Sequence, residues 1–67
     1  MTIIEKDNVF SCDLGRVTVA YVAELRQVRV ILNRTGEILR KDPQQEHMTL
    51  TGFKELCEKY DEIINHK

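Results

Sequence analysis

The chain is poor in most of the residues that mark specialised chemistry. Cysteine and histidine, the commonest ligands of a structural zinc, number two each in the 67 residues. Cys12, Cys57, His47 and His66 fall in none of the short paired spacings that a structural zinc site needs. Two cysteines are also too few for a secreted disulfide scaffold, so they read as buried or idle thiols in a reducing compartment. There is no apolar run of 18 or more residues, and so no membrane-spanning segment is expected. The start, MTIIEKDNVF, lacks the basic-then-apolar order of a signal peptide, which points to an intracellular chain, cytoplasmic or nuclear according to host. No Gly-rich phosphate loop, HExxH or GxSxG is present, so no catalysis and no cofactor are expected. His47 beside Glu46 could act as a base with its orienter, but in a polar loop it reads as a solvated histidine. Neither charge is in large excess: ten basic against eleven acidic residues argue against coating nucleic acid through bulk charge.

What is present is enough for one domain, residues 1–67. A chain this short buries only about 60% of the surface its unfolded form exposes, so a second subunit is an expected support. Residues 1–8 are short and polar after Thr2-Ile3-Ile4 and are expected to fray. Val9 to Asp13 alternates loosely, as a strand would, and Asp13 and Gly15 form a turn.

The stretch VTVAYVAELRQVRVIL, residues 17–32, fits two forms. As a helix it carries a stripe of Tyr21, Val22, Leu25, Val28 and Leu32. As a hairpin, Val17, Val19 and Tyr21 alternate on one strand and Val28, Val30 and Leu32 on the other. The β-branched residues cluster at both ends, which favours the hairpin, although no Gly, Asn or Pro marks its turn. Asn33-Arg34-Thr35-Gly36 is a second turn, Glu37 to Arg40 a short strand, and Lys41 to His47 a polar loop with the single proline. Thr51 is placed as the N-cap of a helix over about 52–65. Its stripe is Phe53, Leu56, Cys57, Tyr60, Ile63 and Ile64. The expected fold is therefore α+β: strands over about 9–50, then one amphipathic C-terminal helix. One helix covers part of one sheet face and leaves the other open.

The positive charges are not spread evenly. Arg16, Arg26, Arg29, Arg34, Arg40 and Lys41 lie between 16 and 41, where the acids are Glu24 and Glu37. That asymmetry suits a surface that tracks phosphates. Tyr21, the one aromatic of the hairpin, is the candidate base-stacking platform, with packing under the helix as its alternative. Phe53 and Tyr60 belong to helix–sheet or dimer contacts.

In order, "VFSCDLG", "RVTV", "VRVIL", "NRTGEILRK" and "HMTLTGFKEL" resemble the positive cofactor four family of transcriptional coactivators, from about Phe10 to Ile64. The resemblance implies a curved four-stranded antiparallel sheet with a C-terminal helix and a homodimer pairing through helices and sheet edges. It also implies grooves for single-stranded DNA, and a role in transcription or in replication and repair. It places Arg16, Arg40 and Lys41 at the family's basic positions, Arg26 near the lysines of its first turn, of which this chain has fewer, and Tyr21 or Val22 near its first stacking aromatic. Arg34 lies near the second, usually a tryptophan, which this chain lacks.

Three readings follow: a homodimeric single-strand binder of DNA or RNA, a protein-interaction module without nucleic acid, and a small all-helical domain. Arginines 16, 26, 29 and 40 on one face would favour the first; their scatter would favour the second.

Overall fold

The computed structural model describes residues 2–65. Five strands run β1 Ile3–Lys6, β2 Val9–Asp13, β3 Val17–Val22, β4 Gln27–Leu32 and β5 Ile38–Pro43, followed by helix α1, Leu50–Asn65. Each strand pairs antiparallel with the next, giving one open sheet in the order β1-β2-β3-β4-β5. The fold is α+β with a C-terminal helix, and the all-helical reading is excluded. The expected four strands become five. The addition is β1, in the segment expected to fray, where Ile3 opposes Cys12 and Lys6 opposes Val9.

The turns explain the strands. Asp7 and Asn8 join β1 to β2 with φ of 52° and 62°. Two consecutive positive φ values make the tight turn whose twist matches a hairpin, and Asp and Asn tolerate them. Gly15, at φ 96°, turns β2 into β3. The turn that lacked a marker, between β3 and β4, is a single 3-10 turn over Ala23–Leu25, closed by Arg26 in the left-handed region. The helix formers of that stretch thus make one helical turn instead of a helix. In β5 the register slips between Val30 and Ile31: Arg40 opposes Val30 and Ile38 opposes Ile31, so Leu39 is the extra residue of a bulge.

Strand alternation sorts the side chains. Phe10, Cys12, Val17, Val19, Tyr21, Val28 and Val30 face α1, by register and by burial. Phe53 and Cys57 of α1 close this core, and Leu56, Tyr60 and Ile64 pack at its margin. Phe10 sits between Tyr21 and Phe53, with ring centroids at 6.0 and 5.6 Å. Full burial of a side chain of this size contributes about 1.5–3 kcal/mol, as it does for Tyr21 and Phe53, while Phe10 is half-buried between them. Ile63, expected on the buried stripe, is 65% exposed. At 100° per residue it lies about 80° around the helix from Phe53, beyond the strip the sheet covers.

The helix starts two residues earlier than expected. Thr49, not Thr51, is the N-cap: its Oγ1 accepts the Gly52 N–H at 3.1 Å and its carbonyl the Phe53 N–H at 2.9 Å. Just before it, the Met48 N–H donates to the buried Tyr21 hydroxyl at 3.1 Å, so the helix start hangs from the central strand. In urea denaturation, Thr49→Ala is expected to cost about 1 kcal/mol, as cap removal does, and Thr51→Ala to stay within about 0.5 kcal/mol.

Candidate nucleic-acid interface

The face of the sheet turned away from α1 is uncovered. By register it carries Ile4 and Lys6 of β1, then Val9, Ser11 and Asp13 of β2. Thr18, Ala20 and Val22 follow from β3, Gln27, Arg29 and Ile31 from β4, and Ile38, Lys41 and Pro43 from β5. Its central row is Ile4, Ser11, Ala20, Arg29 and Lys41, a shallow track with small residues in the middle and cations at one side. Arg29 is aimed by a 2.7 Å hydrogen bond from its Nε to Gln27 Oε1. Lys6, Arg29 and Lys41 are this face's cations. Its only carboxylate is Asp13, whose Oδ1 accepts from the Gly15 N–H at 2.8 Å and from Asn33 Nδ2 at 2.9 Å.

The other side of the sheet carries the opposite balance. Six acids lie there, Glu5 and Asp42 by register and Glu55, Glu58, Asp61 and Glu62 on α1, against three cations, Arg40, Lys54 and Lys59. A hollow of about 570 Å3 between β1 and α1 is lined by Ile3, Lys54, Glu58, Asp61 and Glu62 and repels phosphate.

The arginines proposed from sequence do not share one surface. Arg29 and its neighbour Lys41 lie side by side on the open face. Arg16 and Arg34 sit on the turns at one end of the sheet, and Arg26 on the turn at the other. Arg40 points to the helix side, where its Nε meets Asp42 Oδ2 at 2.6 Å, and this hydrogen bond and charge raise the guanidinium's pKa. Tyr21 takes its alternative reading. Its ring is 0% exposed and offers no face to a base. Its hydroxyl accepts the Met48 N–H and lies 3.3 Å from His47 Nδ1, so His47 helps to hold the loop before α1. Lys6 sits outside the basic stretch of the sequence, and only the β1 register shows its side.

At the Arg16 end, Asn33 ties two turns together. Its N–H donates to the Arg16 carbonyl at 3.0 Å, and its Nδ2 donates to the Gly15 carbonyl at 2.9 Å as well as to Asp13. Its Oδ1 accepts from the Thr18 hydroxyl at 2.6 Å. With both ends of its amide engaged, Asn33 locks the turns that carry Arg16 and Arg34. Between them lies an open cleft of about 470 Å3, lined by Gly15, Arg16, Leu32, Asn33 and Arg34.

Among the described residues no group of three or more His, Cys, Asp or Glu is placed to hold a metal ion, and no helix is long and apolar enough to cross a membrane. His66 lies outside the described residues. Comparison with protein-family models, with curated proteins and with solved structures finds no match to this chain.

Cys12 and Cys57 are free thiols buried against each other between β2 and α1. Burial, with Cys12 adding to it, pushes the Cys57 thiol up to about 12. A thiol held protonated in the folded state loses that advantage as pH rises above the unfolded value of about 8.5, where the unfolded chain gives up its proton first. Stability is therefore expected to fall between about pH 8.5 and 12, by about 1–2 kcal/mol at pH 10. The measurement is the difference in pH dependence between wild type and Cys57→Ala. Parallel curves would show that the thiol does not contribute.

Proposed function

We propose that the open sheet face binds single-stranded nucleic acid and that the chain acts there as a homodimer, in transcription or in replication and repair. The observation that carries this is the sorting of charge across the sheet. Lys6, Arg29 and Lys41 lie on the open side with one hydrogen-bonded carboxylate, and the acids gather on the helix side. A polyanion is drawn to the first side and repelled from the second. The central Ser11 and Ala20 are small side chains between Ile4 and Arg29. The exposed Ile63 is an apolar group on α1 that a second copy would cover.

A protein-interaction module is the second reading, and two observations favour it. Arg16, Arg26 and Arg40 scatter, and the open face bears no aromatic ring. Ile4 and Ile38, 59% and 40% exposed, give that face apolar contacts of the kind proteins use.

The two readings separate in one titration. Anisotropy of a labelled mixed-sequence single strand of about 20 nucleotides, with unlabelled duplex as competitor, is expected to show salt-sensitive binding that duplex does not displace. Three phosphate contacts predict a slope of log affinity on log salt near about −2. Arg29→Glu with Lys41→Glu should weaken binding by about tenfold or more. Failure to bind at low salt would remove nucleic acid and leave the protein-interaction module.

A further inference from the structure

β1 ends the sheet, and among the described residues no strand pairs with its outer side. The two-residue turn at Asp7-Asn8 fixes which of its backbone groups are free. It makes Lys6 and Val9 a hydrogen-bonded pair. The alternation of an antiparallel ladder then bonds Ile4 to Ser11 and leaves Glu5–Phe10 and Ile3–Cys12 as non-bonded pairs. The N–H and C=O groups of Ile3 and Glu5 therefore point outward. Their partners Cys12 and Phe10 face α1, so the side chains of Ile3 and Glu5 lie on the helix side as well. A strand added antiparallel to β1 bonds to these two residues, and the residues it pairs with them turn their side chains toward α1. The hollow of about 570 Å3 lies on that side. Of the sheet, only Ile3 of the edge strand lines it, so it opens outward past β1. Its other lining residues, Lys54, Glu58, Asp61 and Glu62, stand at i, i+4, i+7 and i+8 and form one stripe of α1. Among the described residues the sole ion pair is Arg40–Asp42, so Lys54 neutralises none of these carboxylates.

We propose that β1 takes up an extended basic peptide segment of a partner protein, paired antiparallel as a sixth strand with alternate Lys or Arg side chains in the acidic hollow. The backbone bonds supply the attachment and the hollow supplies the choice of sequence. A long basic side chain lays its stem along Ile3 and carries its charge to Glu58, Asp61 and Glu62. Glu5 attracts the residue opposite it in the same sense. On the other side of the added strand the intervening residues fall beside Ile4 and Lys6 of the open face, where a cation is repelled. The segment is therefore basic at every second position. A second copy of β1 fits less well. In the register that uses Ile3 and Glu5 of both strands, Glu5 of one strand stands opposite Ile3 of the other, at the mouth of an acidic space. This surface is separate from the open face and does not depend on the nucleic-acid reading.

The test uses the whole chain and three end-blocked peptides of about eight residues, the length of an ordinary strand. One alternates lysine with threonine, one alternates glutamate with threonine, and one has the lysines and threonines of the first in two blocks. Affinity and backbone amide exchange are followed by NMR. The alternating lysine peptide is expected to bind about tenfold tighter than either of the others. It should protect the N–H groups of Ile3 and Glu5 from exchange, while those of Ile4 and Lys6, already bonded to β2, change little. Glu58→Gln with Glu62→Gln should weaken that peptide by about tenfold. Glu5→Pro removes one outward N–H at an edge position that accepts proline, and should weaken it as far, whereas Glu5→Gln should retain most of the affinity. Protection of the Ile4 N–H in each variant reports that β1 is intact. Equal binding of the lysine and glutamate peptides, or no binding by any of the three, overturns the proposal. So does binding of the lysine peptide with Ile3 and Glu5 still exchanging freely, which would place it elsewhere on the acidic helix.

Discussion

The hydroxyl of Tyr21 is the point on which the rest of the molecule turns. The ring lies fully buried on the central strand, in contact with Phe10 of β2 and edge-on to His47. Its hydroxyl takes the N–H of Met48, one residue before the Thr49 cap. One side chain thus fixes the phase of β3, the path of the loop and the first turn of the helix. A buried hydroxyl without a partner costs about 1–3 kcal/mol, a large share of the stability of so small a domain. The same constraint defines the open face. With Tyr21 pointing under the helix, the period of two sends Thr18, Ala20 and Val22 the other way. Everything offered to a partner on the sheet follows from that phase.

Much of this was legible in the sequence. The β-branched clusters at the ends of residues 17–32 outweighed the helix formers between them, because strand alternation continued on both sides. What escaped was local geometry. β1 is four residues with two charges, Glu5 and Lys6, so its pattern is faint. Its best marker is the Asp7-Asn8 pair, two residues that accept positive φ. Thr49 and Thr51 are both good caps in sequence, and the bonds that Thr49 accepts from the Gly52 and Phe53 N–H groups decide between them. Ile63 falls on the stripe in sequence but outside the core, because a stripe read along the chain says nothing of how wide the sheet beneath it is.

The binding surface was legible only in part, and for a different reason. Charge was clustered along the chain between 16 and 41, but a strand divides a cluster between two faces. Arg40 and Lys41 are adjacent in sequence and lie on opposite sides of the sheet. Lys6, remote from the cluster, joins Arg29 and Lys41 by register. Tyr21 illustrates the same division. As the one aromatic of the hairpin it suggested a stacking platform, yet its phase placed it with Val19 and Val28 in the core.

The loss of that platform sets the character of any nucleic-acid site here. Base stacking on an aromatic ring contributes about 1–3 kcal/mol per base, and the open face has no ring to provide it. Affinity then rests on cations, whose contribution falls steeply with salt. Three such groups on one face make a weak site. Two faces on one dimer would make a stronger one without a new contact, because the second encounter occurs at an effective concentration set by the link between them. For this chain, therefore, self-association and strand binding are one question. A monomer with this face would release a single strand readily at physiological salt, whereas a dimer would hold it longer.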